Sequence, residues 1–320
     1  MSKKITIAVF CYNNLQYIYQ ALDSILHQTY DNIQLIVSDD GSRLFPAAEI
    51  DRYIQKNGKN IKSYIVRQNE SNMGTVRHIN KVLEYVEGEY YLGLAVDDIL
   101  MADTVIAAIM QALNADDEQT IFVGQVGHYD EKLEEKICDS LSEEDIAVLN
   151  RGNTEELFER LCMQCFIPAP GVIYNVNVLK KMGGFNEKYK LVEDWPFYLA
   201  AVRQGVHFQY IDVTVSKHRT GGVSHSKRKK GDRKQDLYYN DLVAIMKHEI
   251  VPYADLLISN KKKIMQHVND TLVIAEYKQK IIYEPGLKKI KWIVTQAGII
   301  GIVWRGIMRR IRRRFKGNEW

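Results

Sequence analysis

Two adjacent carboxylates, Asp97 and Asp98, end an apolar run in the stretch YYLGLAVDDIL, residues 90–100. The run is typical of a buried strand, and like charges this close repel each other unless a cation or water lies between them. Capping of the next helix, TVIAAIMQAL, does not explain the pair, because Asp103 directly precedes that helix and is better placed as its cap. By themselves, the two carboxylates fit a cation site and a simple strand end equally well.

Two further acidic pairs stand at the ends of predicted elements. Asp39 and Asp40 end the strand-like segment IQLIVSDDGS, where a turn with Asp and Ser bonded to the backbone ahead of Gly41 would account for them. Asp40 needs no role beyond that turn. Glu193 and Asp194 open a predicted helix, where the helix dipole stabilises negative charge. Each pair therefore has an ordinary structural explanation beside a chemical one.

His218 lies in the segment KHRTGGVS, between Lys217 and Arg219. A single histidine is more often structural than chemical. This one follows a predicted strand and precedes two glycines, a composition typical of a flexible loop that could close over a ligand.

The first hundred residues alternate between strand and helix patterns. The predicted strands are KITIAVFCY, IQLIVSDDGS, IKSYIVRQN and YYLGLAVDD, and the helices between them are NLQYIYQALDSILHQ, AAEIDRYIQKNG and TVRHINKVLEYVEG. This order predicts a mostly parallel sheet with helices on both faces. Ligands of such sheets bind beyond the carboxyl ends of the strands, and three of these ends carry polar groups: CYNN, SDDGS and DD.

The rest of the chain is less regular. IFVGQVGHYD and VHFQYIDVTVSKHR read as strands, and NTEELFERLCMQCF as a helix capped by Asn153 or Thr154. A second helix is predicted from near Glu193 to Gly205. From about residue 235 the pattern is helical to the end.

These segments, in this order, resemble the family 2 glycosyltransferases, inverting enzymes with the GT-A fold. ITIAVFCYNN is similar to the family's first strand and turn, IVSDDGS to its second strand, and NESNMGTVRHIN to its Asn-x-Gly segment and following helix. GEYYLGLAVDD resembles the metal-binding strand, MGGFNEKYKLVEDWPFYLAA the Gly-Gly-Phe turn and Glu-Asp helix start, and SKHRTGGVS the late histidine loop. The resemblance covers roughly residues 5–225.

The resemblance implies an α/β GT-A fold with a Rossmann-like, mostly parallel central sheet over residues 1–225. The nucleotide-sugar half would occupy about residues 1–100 and the acceptor half about residues 101–225, followed by a helical C-terminal region, residues 226–320. The implied activity is transfer of a hexosyl or N-acetylhexosaminyl group, with inversion, from a nucleotide-diphosphate sugar that we expect to be UDP-linked. The expected acceptor is a glycan or polyprenyl-linked saccharide in cell-envelope or capsular polysaccharide synthesis.

The resemblance also implies roles for individual residues. Asp194 is expected to be the general base that deprotonates the acceptor hydroxyl, with Glu193 and Trp195 binding the acceptor. Asp39 is expected to accept the imide N–H of a uracil or thymine ring, and Arg219 to contact the diphosphate. Eight positions are expected to bind the donor nucleotide: Phe10, Tyr12, Asn13, Asp39, Asn72, Gly74, Asn80 and Asp97.

Asp97, Asp98 and His218 are expected to bind a metal ion. A nucleotide diphosphate carries concentrated negative charge, and Mn²⁺ or Mg²⁺ suits a site of few carboxylates plus phosphate oxygens. Such an ion also explains why Asp97 and Asp98 can stand side by side. The chain departs from the family at Phe10, where proline is usual, and at Ala95, where the first carboxylate of Asp-x-Asp is missing. Asp97 and Asp98 would then have to bind both the metal ion and the ribose.

Composition limits the remaining possibilities. At 320 residues, with 46% hydrophobic and 26% charged residues, the chain is typical of one large globular domain plus an appendage. The N-terminus, MSKKITIAVF, lacks a signal peptide's apolar segment, so we expect a cytoplasmic protein. Four scattered cysteines do not suggest a disulfide scaffold. Cys162 and Cys165 form a CxxC pair without a second pair, and we interpret both as helix residues.

The C-terminal 35 residues are strongly basic. They hold ten Lys or Arg and one acid, a net charge of +9, which leaves −6 on the other 285 residues. Their apolar core, WIVTQAGIIGIVW, is too short to span about 30 Å of hydrocarbon. Beyond it, an apolar helical face (Trp304, Ile307, Met308, Ile311, Phe315) lies largely opposite arginines (Arg305, Arg309, Arg312, Arg313). We predict that this tail lies on an anionic membrane at the inner face of the cell membrane. Packing on the catalytic domain or on a second copy is the alternative.

Two other functions fit parts of the sequence. A sugar-nucleotide pyrophosphorylase also uses a Rossmann-like sheet and Mg²⁺, but it would need a Gly-rich, Arg-containing loop after the first strand, where this chain has CYNNLQYIYQ. A nucleic-acid-binding protein would use the basic runs HSKRKKGDRK and RRIRRRFK. The acidic body argues against a nucleic-acid groove, so we expect no nucleic-acid partner.

Overall fold

The computed structural model describes residues 2–113, 119–220, 233–279, 286–295 and 301–302. The chain divides into two compact units, Met1–Lys227 and Arg228–Trp320. All strands of the described residues lie in the first unit, and the described part of the second unit is helical.

The first unit contains nine strands in its described residues. They are β1 (Ile5–Cys11), β2 (Ile33–Asp39), β3 (Ile61–Gln68), β4 (Tyr90–Ala95), β5 (Ile99–Leu100), β6 (Thr120–Tyr129), β7 (Lys136–Asp139), β8 (Val172–Asn175) and β9 (His207–Arg219). They form one sheet in the order β3-β2-β1-β4-β8-β6-β9-β5, and β7 pairs with β6.

The N-terminal half of this sheet is parallel, as the sequence predicts. Strand β1 pairs in parallel with β2 and with β4, and β2 pairs in parallel with β3. The carboxyl ends of β1, β2 and β4 therefore lie at one edge, because Phe10 is in register with both Ser38 and Ala95. Strand β8 then reverses the direction, since it runs antiparallel to both β4 and β6.

Eight α-helices connect or cover these strands in the described residues of the first unit. They are α1 (Ile18–Leu26), α2 (Ala47–Asn57), α3 (Thr75–Leu83), α4 (Val105–Ala112), α5 (Glu143–Arg151), α6 (Thr154–Met163), α7 (Val176–Met182) and α8 (Asp194–Arg203). Asn153 caps α6 by accepting the Glu156 N–H, which confirms one of the two predicted caps.

Two local predictions were wrong. Asp103 does not cap α4: Thr104 holds the N-cap position without a side-chain bond, and the Asp103 carbonyl instead accepts the Thr29 N–H at 2.8 Å. Cys165 is not a helix residue, because α6 ends at Met163 and Gln164 is extended. Helix α5 was missed, although its N-terminus has a capping box between Ser142 and Asp145.

The apolar faces of β1 and α1 form the core of the N-terminal half. Ile5, Ile7 and Val9 alternate along β1, and Ile18 and Leu22 repeat along α1, all with at most 1% of their surface exposed. Full burial of such side chains stabilises the folded state by roughly 1.5–3 kcal/mol each. The strand ends that carry polar residues are thus fixed on a well-packed base.

The second unit contains α9 (Arg233–Ile245), α10 (Lys261–Gln279) and α11 (Gly286–Thr295) among its described residues. Between α9 and α10 the chain forms a π-turn and then a short 3₁₀ helix, Val251–Leu256. No helix in the described ranges is long and apolar enough to cross a membrane. The amphipathic stripe from Trp304 to Phe315 lies outside the described residues.

Candidate active site

Asp39 forms the turn that ends β2. Its carboxylate accepts the Ser42 N–H at 2.6 Å, the Ser42 hydroxyl at 2.5 Å and the Gln68 side-chain amide at 2.9 Å. The side chain is fully buried. Of Asp39 and Asp40, it is therefore Asp39 that makes the hydrogen bonds expected within this turn. A direct contact between Asp39 and a nucleobase stays a prediction.

Asp40 binds the loop that precedes α3. Its Oδ1 accepts the Asn69 side-chain amide at 2.8 Å and the Met73 N–H at 2.9 Å, and its Oδ2 accepts the Gly74 N–H at 3.0 Å. Gly74 has a positive φ of 85°, a conformation that favours glycine. Asp40 is thus the anchor of the Asn-x-Gly loop, a role that its position in a turn motif did not reveal.

Gly41 offers a test of how tightly this loop packs on the turn. Its φ is +79°, and a Cβ there would lie 2.7 Å from the Ser71 carbonyl carbon and 2.8 Å from the Asn72 nitrogen. We expect Gly41→Ala to lower the free energy of unfolding by about 3 kcal/mol or more, because backbone must move in addition to the left-handed strain. Urea titration measures this difference.

Gly152 is the matched control for that substitution. It has a φ of +61° at the end of α5, but a Cβ there meets nothing within 4 Å. Gly152→Ala should therefore cost only the left-handed penalty, about 1 kcal/mol. Equal costs at the two positions would contradict close packing of the loop on the turn.

A buried polar network lies beside the Asp40 loop. Ser38 Oγ is 2.7 Å from His78 Nε2 and accepts a bond from Arg67 Nη1 at 2.7 Å. Arg67 Nη2 donates to Asn69 Oδ1 at 2.6 Å. Burial lowers the pKa of His78 to about 4, so the ring is neutral at physiological pH. Its ring edge packs against Phe10, with centroids 5.1 Å apart.

The other predicted donor residues fall into two groups. Tyr12, Asn13 and Asn72 are exposed near the turn after β2, where the Asn13 N–H donates to Ser42 Oγ at 2.8 Å. Asn80 instead reaches the Gly-Gly-Phe turn, since its side chain bonds the Phe185 carbonyl and N–H at 2.7 and 2.8 Å. Asn80 thereby fastens the turn that leads to α8.

The acidic turn after β4 joins residues that are distant in sequence. Asp98 is fully buried, and its two oxygens lie 3.0 Å from His218 Nδ1 and 3.1 Å from the Arg219 N–H. Asp97 is partly exposed, and its pKa is raised by burial and by the charge of Asp98. The structure thus places two of the three predicted metal ligands, Asp98 and His218, in direct contact and leaves Asp97 accessible.

His218 is held between Asp98 and a second histidine. Burial alone would lower its pKa, but the hydrogen bond to Asp98 and the charges of Asp98 and Asp97 raise it above the ordinary value. The ring also meets the ring of His128 edge to face, with centroids 5.2 Å apart. Its orientation is therefore fixed through Nδ1.

The Arg219 side chain is almost completely buried. Its Nε donates to the Asp97 carbonyl at 3.0 Å, one Nη donates to the Glu131 carbonyl and the other to Gln20 Oε1 at 2.8 Å. The guanidinium also stacks on Tyr17, 3.9 Å from the ring centroid. These contacts make Arg219 a support of the acidic turn, and its expected diphosphate contact stays a prediction.

The acidic turn fits a divalent ion of the Mg²⁺ or Mn²⁺ type. No group of three His, Cys, Asp or Glu in the described residues is arranged to hold a metal. Such ions are commonly held by one or two carboxylates, with phosphates and water completing the shell, so a two-carboxylate turn is sufficient. Burial and, after it, the charge of Asp98 raise the pKa of Asp97, and a bound cation would stabilise its ionised form.

Asp194 is the first residue of α8 and touches a cysteine. Its Oδ1 accepts the Trp195 N–H at 2.7 Å, and the Cys165 thiol donates to its Oδ2 at 3.7 Å. Burial raises the pKa of Asp194, although these donors lower it in part. A partly exposed carboxylate with a raised pKa can act as a base near neutral pH.

The two neighbours of Asp194 are placed differently. Glu193 is partly exposed at the helix start. Trp195 is buried, and its indole N–H donates to the Leu161 carbonyl at 2.8 Å, so the ring packs α8 on α6. An acceptor contact from either residue stays a prediction.

The structure connects the predicted residues into three clusters. The first joins Asn13, Asp39 and Gly74 around the turn after β2, and the second joins Asp97, Asp98 and His218 with Arg219. The third is Asp194 with Cys165. Supporting residues that sequence reasoning missed include Gln20, Tyr17, Gln68 and Arg67, for which the chain offered no local motif. Cys165 was noted as part of a CxxC pair, but its contact with Asp194 was not predicted.

Comparison with known proteins identifies the family of this chain. Residues 6–183, more than half of the chain, match the model of the glycosyl transferase family 2 domain. The chain belongs to glycosyl transferase family 2. An uncharacterized glycosyltransferase of Haemophilus influenzae is 26% identical over 307 residues, which cover 91% of this chain and 88% of that protein. The glycosyltransferase GlyG of Streptococcus pneumoniae is 28% identical over 131 residues, 41% of this chain and 42% of GlyG.

Solved structures confirm the GT-A fold of this family 2 glycosyltransferase. The Staphylococcus aureus protein TarS superposes with a TM-score of 0.59 at 16% identity, over 99% of this chain and 54% of TarS. The mannosyltransferase PcManGT of Pyrobaculum calidifontis, solved with GDP-Man and Mn²⁺, gives 0.55 at 13% identity, over 100% and 84% of the chains. A TarS fragment has been solved with UDP-GlcNAc.

Proposed function

We propose that this glycosyltransferase moves a hexosyl or N-acetylhexosaminyl group, with inversion, from a UDP-linked donor to a glycan or polyprenyl-linked acceptor in cell-envelope or capsular polysaccharide synthesis. The observation that carries the proposal is the acidic turn Asp97–Asp98, which His218 and Arg219 hold beside the carboxyl end of β1: the Val96 N–H donates to the Phe10 carbonyl at 3.0 Å. The UDP-GlcNAc bound to TarS supports the choice of donor.

The acidic turn would supply the electrostatic part of catalysis. Asp97 and Asp98 would hold Mn²⁺ or Mg²⁺, which when bound neutralises charge that develops on the leaving diphosphate. Asp98 also orients the His218 ring, and Arg219 fixes the turn through the Asp97 carbonyl. The protein thus builds the turn before donor binds, which avoids reorganisation during the reaction.

Asp194 would accept the proton of the acceptor hydroxyl. Its carboxylate is positioned by the Trp195 N–H and the Cys165 thiol, and it is partly exposed at the start of α8. An ionised carboxylate takes the proton while the hydroxyl attacks the anomeric carbon from the face opposite the diphosphate. The bond to the diphosphate breaks as the new glycosidic bond forms, so UDP leaves and the sugar is joined to the acceptor with inverted configuration.

Screening UDP-, dTDP- and GDP-sugars for hydrolysis without acceptor tests the donor proposal. We expect Mn²⁺-dependent release of UDP from at least one UDP-sugar and little release from the GDP-sugars. Equal hydrolysis of all donors, or none, would contradict a uracil-selective site.

Cys165 provides a pH test of the base. Asp194 must be ionised to accept a proton, so kcat falls as the pH drops through its raised pKa. The Cys165 thiol lowers that pKa, and we therefore expect Cys165→Ala to move the acid limb of the kcat–pH profile to higher pH. Measurement of kcat from acid to neutral pH gives the shift.

Cys162 is the matched control in the same CxxC pair. Burial raises the pKa of its thiol to about 12, and its charged neighbours are Arg203 and Glu159 rather than Asp194. Cys162→Ala should leave the acid limb in place. An unchanged limb in Cys165→Ala would mean that another group controls it.

We further propose that the enzyme works in the cytoplasm at the inner membrane face, held there by its basic tail. The net charge of +9 on residues 286–320 supports this location. An enzyme bound to the membrane surface would meet polyprenyl-linked acceptors by diffusion within the plane of the membrane. Flotation of the full chain with anionic vesicles, compared with a chain that ends near Pro285, tests the tail. Association of two copies through the tail is the alternative outcome.

A further inference from the structure

A second surface of the C-terminal unit has the composition of a membrane-contacting surface. Exposed large apolar side chains are few in the described residues, yet four of them fall between residues 251 and 258. They are Val251, Tyr253, Leu256 and Ile258, which are 40%, 38%, 49% and 68% exposed. Single exposed apolar residues are ordinary, but a cluster of them indicates a binding surface.

Three lysines follow this apolar cluster directly. Lys261, Lys262 and Lys263 are all exposed and form the first turn of α10, which begins where the Ile264 N–H donates to the Asn260 carbonyl at 2.9 Å. The helix dipole disfavours positive charge at a helix N-terminus. Three adjacent lysines there lower the stability of the helix, so we infer that they bind something outside it.

The charges on this surface are mostly unbalanced. Lys261 pairs with Asp255 at 2.8 Å, whereas Lys262 and Lys263 have no acidic partner within the part of the chain that the structure describes. Lys247 is also exposed, one π-turn before the apolar cluster. The surface thus combines exposed apolar side chains with four exposed lysines against one exposed carboxylate, Asp255, and this excess of positive charge complements an anionic lipid surface.

We propose that residues 251–263 form a membrane-docking surface in which Val251, Tyr253, Leu256 and Ile258 enter the headgroup region and Lys261–Lys263 bind anionic headgroups. A tyrosine ring suits the interface between headgroups and acyl chains. The surface acts in addition to the tail, and it does not depend on the reaction proposed for the active site.

Vesicle flotation of the full-length chain tests the surface. The variants are Lys261→Gln/Lys262→Gln/Lys263→Gln and Val251→Ser/Tyr253→Ser/Leu256→Ser/Ile258→Ser, with phosphatidylcholine vesicles that contain phosphatidylglycerol. At low salt we expect the lysine variant to bind about 100-fold more weakly, since each basic residue near anionic lipid contributes roughly a factor of five. The serine variant should bind at least roughly tenfold more weakly than the wild type.

The matched control removes the same charge from the first unit. Lys56, Lys59 and Lys62 are exposed there, and Lys56→Gln/Lys59→Gln/Lys62→Gln should float like the wild type. Donor hydrolysis in solution should be unchanged in all three variants, which separates this surface from the proposed reaction. Equal flotation of the wild type and the two surface variants would overturn the proposal and leave the tail as the contact. A wild type that does not float, or variants that lose only self-association in ultracentrifugation, would overturn it too.

Discussion

Asp194→Asn should lower kcat for sugar transfer by roughly 10²–10⁴-fold, the contribution of a positioned general base. The amide has nearly the same shape and can still accept the Trp195 N–H, so the start of α8 should remain folded. Donor affinity should stay near that of the wild type, because the bonds of Asp194 in the described part of the chain go to Cys165 and Trp195 and not to the turns after β2 and β4. Transfer kinetics and calorimetry with UDP and Mn²⁺ measure the two quantities separately.

Glu193→Gln is the control for loss of charge at the same helix end. Glu193 directly precedes α8, and its replacement should raise KM for the acceptor more than it lowers kcat. If Asp194→Asn loses UDP affinity but transfers sugar once it is saturated, Asp194 acts on the donor side and the base must be sought elsewhere.

Asp97→Asn and Asp98→Asn should each lower turnover by about 10²–10³-fold, because each removes negative charge that would hold the cation against the diphosphate. EDTA should abolish activity of the wild type, and Mn²⁺ or Mg²⁺ should restore it. The two variants should differ in stability. Asp97 is partly exposed and should tolerate the change, whereas Asp98 is buried against His218 and should unfold at a lower temperature as Asn.

That difference keeps the prediction testable even if one variant folds poorly. Folded Asp97→Asn with a higher requirement for Mn²⁺ would support the metal role, since the remaining carboxylate binds the ion more weakly. Full turnover of the wild type in EDTA would exclude a metal at the acidic turn.

The parallel half of the fold was predictable because its signals are local. Apolar runs that end in CYNN, SDDGS and DD mark strands β1, β2 and β4, and the helices between them have apolar faces at helical spacing. The helix and strand order then places all three strand ends at one edge. Helix α5 escaped prediction because it begins in the acidic segment SEEDIAVLNR, whose apolar spacing is weak.

The meeting of Asp98 with His218 was expected only from the family resemblance, and most other partners of the site residues were not predictable. Asp98 and His218 are 120 positions apart, and Arg219 reaches Gln20 across 199 positions. Only the pairing of β9 with β5 and β6 brings these side chains together, and no sequence periodicity encodes such a pairing. The contacts of Asp40 were missed because it binds a loop that lies about 30 residues later, and no local motif indicates that pairing.

The position of β9 has a consequence for synthesis of the protein on the ribosome. This strand is the last of the first unit in sequence but lies inside the sheet, between β6 and β5. Strands β1 to β4 pair with one another and are synthesised first, so they can assemble while translation continues. The acidic turn, by contrast, lacks His218 and Arg219 until residue 219 leaves the exit tunnel. Nascent chains stalled before that point should therefore be protease-sensitive around Asp97, and the turn should become protected only when β9 has emerged.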